Sequence, residues 1–193
     1  MSDADFEARV ADLLAAGKTD DAAEVALRQL GPSVLGYLRA VVNDTDDADD
    51  AFARFAETLW SSLGGFRREC SVRTWTHRIA WQAARRVLQD PYRRRRIPLG
   101  SSSAANIAAE IRSTSSLERE ATAPTRAARL RAELTPEEHT MVILRFDRGF
   151  SWSEVAEALA ADGESVDEAT LRKRFERLKK RLRELAVDEG LLP

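Results

Sequence analysis

The 193-residue sequence predicts an all-α fold: two small helical domains joined by a flexible linker, the C-terminal one a helix-turn-helix. Three observations predict it. Apolar residues recur at steps of three and four along most of the chain. No stretch alternates apolar and polar residues over more than a few positions, so strand signals are nearly absent. Residues 97–124 change character: Pro98, Gly100, the Ser101–Ser103 run, Ser113 to Ser116 and Pro124 read as a linker or weakly helical connector. The domains are therefore expected at 1–96 and 125–193.

The elements follow in order. Residues 5–16 form a first helix, with Phe6, Val10, Leu13 and Leu14 apolar. Thr19 or Asp20 caps the next helix, which carries Val25, Leu27 and Leu30. After Gly31-Pro32 the pattern resumes with Val34, Leu35, Leu38, Val41 and Val42. Asn43 to Asp46 breaks it and caps a third helix. That helix has one wide apolar stripe of Ala48, Phe52, Phe55, Ala56, Leu59, Trp60 and Leu63. Gly64-Gly65 stops it. A loop from Phe66 to Cys70 precedes a helix over 71–89, with Trp75, Ile79, Ala83 and Val87 on its apolar face and Asp90-Pro91 at its end.

In the last 60 residues, Thr135-Pro136-Glu137-Glu138 is a helix start: a cap, a proline at the first position, then acids near the positive end of the dipole. Met141 to Leu144 supply an apolar face and Gly149 ends the helix. Ser151 with Glu154 makes a capping box for a short helix containing Val155, Ala156 and Leu159. Asp167 or Glu168 opens a long helix with Leu171, Phe175, Leu178, Leu182 and Leu185 on one side and a basic opposite side.

Composition excludes several classes. Hydrophobic residues make up 44% and charged residues 32%, too apolar for a disordered chain and too charged for a membrane protein. The acidic N-terminus lacks the order of a signal peptide, and no apolar run spans a bilayer, so no membrane insertion is expected. The single Cys70 fits a reducing cytoplasm. His77 and His139 are read as surface residues without partners at metal-ligand spacing, and no metal or cofactor is expected. No phosphate-binding glycine loop and no paired acid and base mark the chain as an enzyme.

Charge is segmental. Residues 1–60 hold 13 acids and 5 bases, net −8; residues 61–100 hold 2 acids and 10 bases, net +8; residues 171–183 hold 8 bases and 1 acid, net +7. Basic blocks of this kind are electrostatic footprints for phosphates. In the C-terminal domain, Ala156 at the centre of the short helix lets a second, basic helix cross closely. Its exposed face suits the major groove, where arginines bridge to phosphates or guanine edges. In the middle block, aromatic side chains beside a basic groove suit single-stranded DNA, because bases stack on rings while arginines hold the backbone. Trp60 and Trp75 lie on apolar stripes and are expected in the core. Phe66 in the loop and Trp81 off the stripe are the candidates for exposure. Ordinary solvated basic faces are the alternative at both places.

The order of elements resembles the sigma-70 family of bacterial RNA polymerase sigma factors, specifically the extracytoplasmic-function subfamily. Asp47-Ala48-Asp49-Asp50-Ala51-Phe52 through Trp60 resembles the acidic, aromatic helix of sigma domain 2. Phe66, then Arg73-Thr74-Trp75 with Ile79-Ala80, resembles its promoter-melting segment. Leu134 to Glu138, Ser151-x-x-Glu154-Val155-Ala156 and Thr170 to Arg174 resemble sigma domain 4. The resemblance implies core RNA polymerase, through its largest and second-largest subunits, and promoter DNA as partners, with an anti-sigma factor a further one. Asp47, Asp50, Arg54 and Glu57 would contact the polymerase. Phe66, Arg67, Arg68, Arg73, Trp81, Arg85, Arg86, Arg93 and Arg94 would hold the minus-10 element. Thr170, Arg172, Lys173, Arg174 and Arg177 would read the minus-35 element. The chain departs from the family at Ala53 and Arg54, where glutamine and an acid are usual, and in a turn between Leu159 and Val166 about five residues longer than usual. A stand-alone helix-turn-helix regulator and a degenerate, sigma-like interaction protein are the rival readings.

Overall fold

The computed structural model describes residues 2–89, 102–117, 133–160 and 166–188. The chain divides into two compact units, Met1–Glu120 and Ala121–Pro193. All regular structure among the described residues is helical.

The first unit contains α1 (Asp3–Ala15), α2 (Thr19–Val42), α3 (Thr45–Ser62), α4 (Val72–Gln89) and α5 (Ser103–Leu117). Helix α2 is its centre and packs against the other four. α1 starts two residues earlier than expected because Ser2 and Asp5 form a capping box. Lys18, not Thr19 or Asp20, occupies the cap position of α2 and makes no side-chain cap bond. The helix then runs unbroken through Gly31-Pro32. The missing N–H of Pro32 costs one helical hydrogen bond, and burial of Leu27, Val34, Leu35 and Leu38 along the same helix outweighs it. Asn43, at φ 59°, ends α2 in the left-handed conformation, and the Asp44 carboxylate caps α3 by accepting from the Asp47 N–H at 2.8 Å.

Within the stretch expected as a linker or weakly helical connector, residues 103–117 form α5. This helix buries Ala104, Ala105, Ile107, Ala108 and Ile111 against α2 and α3. Arg28 of α2 fastens it, pairing with Glu24 at 2.8 Å and with Glu110 of α5 at 3.1 Å. Serines and prolines punctuate the stretch, but apolar residues at helical spacing between them decide its structure. Gly31 makes the packing possible: it is buried, and a Cβ there would stand 2.6 Å from Ile111 Cδ1.

The second unit contains α6 (Pro136–Val142), a wide turn over Ile143–Asp147, α7 (Trp152–Leu159) and α8 (Glu168–Asp188). Thr135 with Glu138, and Ser151 with Glu154, form the two capping boxes. Gly149, at φ 70°, closes the wide turn, where the Phe150 N–H reaches the Leu144 carbonyl at 2.9 Å. Ala158 is fully buried, whereas Ala156, expected at the helix crossing, is half-buried. Most of the long turn noted after Leu159 lies outside the described residues.

Candidate nucleic-acid and polymerase interfaces

Helix α4 is buried around most of its circumference. Thr74, Trp75, Thr76, His77, Ile79, Ala80, Trp81, Ala83 and Ala84 are all interior. Trp81, expected at the surface, is only 6% exposed, so direct stacking on a base is corrected. The apolar face is wider than one stripe because α2 and α3 both pack on α4. His77 is likewise buried, its Nδ1 2.9 Å from the Arg73 carbonyl and its ring beside Tyr37, and His139 is buried in the second unit. Trp60, expected in the core, is half-buried.

What α4 leaves to solvent is a narrow basic strip. Arg78, Gln82, Arg85 and Gln89 recur at helical spacing, with Arg86 beside them. Phe66 stands next to its N-terminal end, half-buried, with its ring centroid 5.1 Å from that of Trp75 at 45°. Trp75 is thus the buried backing and Phe66 the partly open ring. Arg67 is exposed.

Arg68 and Arg73 face differently from the expectation. Arg68 adopts φ 59° and its guanidinium donates to the Ala11 carbonyl of α1 at 2.8 Å. Arg73 pairs with Asp3 of α1 at 3.1 Å. Both are held by the first helix instead of standing clear for phosphates. This signal was absent from the sequence, since it joins residues 57 and 70 positions apart. Arg93 and Arg94 lie outside the described residues.

On α3, Asp47 is 9% exposed, which leaves little of it for a partner. Asp50 and Arg54 are half-buried and Glu57 is exposed. Arg54 is set down so that its Nε–H is buried without a hydrogen-bond partner. Ala53 is on the buried side, 8% exposed. Nearby, Arg39 of α2 pairs with Asp49 at 3.2 Å.

In the second unit the basic residues of α8 divide. The Asp167 carboxylate caps α8, taking the Thr170 N–H at 2.8 Å and its hydroxyl at 2.9 Å. Those two bonds hold the Asp167 carboxyl below its ordinary range. Arg172 is paired with Glu168 one turn back. Arg174 reaches Glu137 of α6 at 2.7 Å, and Arg181 reaches Glu138 at 2.7 Å. These pairs bracket a groove of about 370 Å³ between α6 and α8, which Arg177 also lines. Burial pushes the Glu138 carboxyl up, but the Arg181 hydrogen bond and the Thr135 N–H outweigh it and hold it below its usual value. Lys173 is exposed on the first turns. On another side, Phe146 is 60% exposed and leans on Phe175, ring centroids 5.2 Å apart, while Trp152 packs on the same ring at 5.3 Å.

No cluster of three metal-ligating side chains occurs among the described residues. No helix among them is long and apolar enough to cross a membrane. Against known families, residues 26–96 match the model of sigma-70 region 2. The matched segment runs from within α2 to seven residues past the end of α4 and leaves α1, α5 and the second unit outside it. No curated protein matches the chain.

Proposed function

We propose that the chain is a sigma factor of the extracytoplasmic-function type, acting in the cytoplasm to carry core RNA polymerase to specific promoters. The observation that carries this reading is the region 2 domain with the basic strip of α4 beside a half-open Phe66. Bases that unstack cheaply would be held at Phe66 while Arg67, Arg78, Arg85 and Arg86 take the backbone. Helix α3, through Asp50, Arg54 and Glu57, would dock on the largest polymerase subunit. The protein makes and breaks no bond; it biases the promoter toward the open state by binding the unpaired strand.

The second unit would serve as sigma domain 4. Support comes from α7 followed by the basic α8, whose first turns expose Arg172 and Lys173. Arg174 and Arg177, turned toward α6, would act as struts beside a phosphate path instead of base readers. An anti-sigma factor would be a further partner of α2 and α3.

Co-elution of the purified chain with core RNA polymerase at moderate salt tests the reading. A stoichiometric complex that initiates from selected promoters supports it. Elution alone, at a salt where a control sigma factor binds, overturns it. A complex that binds but never opens a promoter favours the sigma-like interaction protein, a reading to which the small, buried Ala53 and reversed charge of Arg54 lend weight.

A further inference from the structure

The first turn of α4 is capped from far away in the chain. Glu7 of α1 accepts from the Val72 N–H at 3.0 Å and from the Arg73 N–H at 3.2 Å, one carboxylate oxygen to each. The third N–H, of Thr74, goes to the Ser71 hydroxyl at 3.0 Å, and the fourth, of Trp75, to the Ser71 carbonyl at 3.0 Å. The N–H groups of the first three helical residues are thereby satisfied, and the bond from Trp75 is the first within the helix itself. A carboxylate also suits the positive end of the α4 dipole.

The same helix grips the loop in front of α4. The Ala11 carbonyl takes the guanidinium of Arg68, a residue in the left-handed conformation. Asp3 takes that of Arg73. Helix α1 thus holds the middle and the far end of the segment that runs from Phe66 to Ser71, while Trp75 backs its near end.

We infer that α1 is the positioning element of the loop that meets unpaired DNA, and that Glu7 is its main positioning residue. The inference rests on the sigma reading and adds a part outside the matched region 2 segment. The kind of contact carries it. Glu7 bonds to backbone N–H groups, so it fixes the direction in which the chain enters α4. Phe66 lies six residues before that entry, its N–H on the Leu63 carbonyl at 3.1 Å and its ring against Trp75. A side chain that shielded the basic surface from DNA would instead pair with exposed guanidinium groups such as Arg67 or Arg86, whereas α1 bonds to the backbone of Val72 and Arg73 and to the guanidinium groups of Arg68 and Arg73. Freed from Glu7, the loop would still exist, but Phe66 would no longer be presented in one place, and the cost would fall on base capture.

The test uses the full chain with core RNA polymerase and promoters selected by the wild-type holoenzyme. Glu7→Ala, Glu7→Gln and wild type are compared for core affinity by competition and for promoter opening by permanganate reactivity of thymines. Circular dichroism sets the folded fraction. With Glu7→Ala we expect core affinity within about twofold of wild type and opening reduced roughly tenfold, the scale of losing part of one base-stacking contact. Glu7→Gln, which keeps one acceptor oxygen, falls between. A purely structural role would lower core affinity, opening and folded fraction together. If Glu7→Ala does not fold, Glu7→Gln decides. Unchanged opening in a folded variant overturns the inference, as does increased opening, which would mean that α1 screens the loop from DNA. Failure of the wild-type chain to bind core polymerase is a different result: it removes the sigma reading itself, and this inference with it.

Discussion

Ile111 of α5 fills the place a side chain on Gly31 would need: its Cδ1 lies 2.6 Å from the position of a Cβ on that glycine. Leu27 and Phe52 stand 3.5 Å from the same point. Gly31, which with Pro32 looks like a break in the sequence, is in fact a seat for Ile111, 80 positions further on.

Substitution at Gly31 should depend sharply on size. In Gly31→Ala, the end of the Ile111 side chain can turn aside, and the helix gains about 1 kcal/mol from replacing glycine. The net change should stay within about 1 kcal/mol. Gly31→Leu cannot be absorbed this way and should cost at least 1–3 kcal/mol through overpacking, by order of magnitude. Urea unfolding followed by circular dichroism distinguishes the two. A Gly31→Leu variant as stable as wild type would show that α5 is not seated there.

Trp81 separates burial from recognition. With 6% of its surface exposed, Trp81→Ala should destabilise the first unit by roughly 3–5 kcal/mol, the range for a buried aromatic truncated to alanine. Thermal melting of the full chain measures it. A variant that melted like wild type yet lost DNA affinity would restore the tryptophan to the interface.

The aromatic cluster of the second unit should respond unevenly. Phe146 is mostly exposed and Phe175 is 6% exposed. Phe146→Ala should cost no more than about 1 kcal/mol, near the value of one aromatic pair. Phe175→Ala should cost about 3–5 kcal/mol as a core truncation. Equal losses in chemical denaturation would contradict the burial of one and exposure of the other.

Acid should weaken the second unit through Glu138. Its carboxyl is held below the ordinary 4.5 in the folded state. A lowered folded value means stability that is present above 4.5 and is lost as pH falls through the folded value. Glu138→Gln keeps the capping geometry but removes the titrating group. Its acid unfolding curve should therefore be flatter below pH 4.5 than that of wild type. Identical curves would mean that the bond to Arg181 contributes nothing.

Arg78 and Arg86 offer a test of the basic strip. If they contact phosphates in the holoenzyme, each change to alanine should weaken promoter binding at all sequences alike and reduce the salt slope by about one. A change in preferred promoter without a change in slope would assign them to bases.

Much of this molecule was legible in its sequence. The apolar spacing of three and four, with Ser151, Thr135 and Asp167 at helix starts, marked most helices because such signals are local: a cap and its helix lie within four residues. Helix α5 is legible only as a weakly helical connector, because serines and flanking prolines interrupt its short apolar stripe. The candidate site was legible as chemistry but less so as geometry. Phe66, Arg85 and Arg86 belong to an aromatic–basic pattern in the sequence; in the fold Arg85 and Arg86 are on the open side of α4, and Phe66 stands against Trp75 near its start.

The sequence by itself determined helix positions, segmental charge and the interior stripes, since each follows from neighbours in the chain. Tertiary structure alone decided which charges were spoken for. Arg68 and Arg73 went to α1, Arg174 and Arg181 to α6, and the Val72 and Arg73 N–H groups to Glu7. A guanidinium or a carboxylate has no periodic signature that names its partner. It takes whichever opposite charge or unmet backbone group the packing of distant helices brings within 3 Å or so.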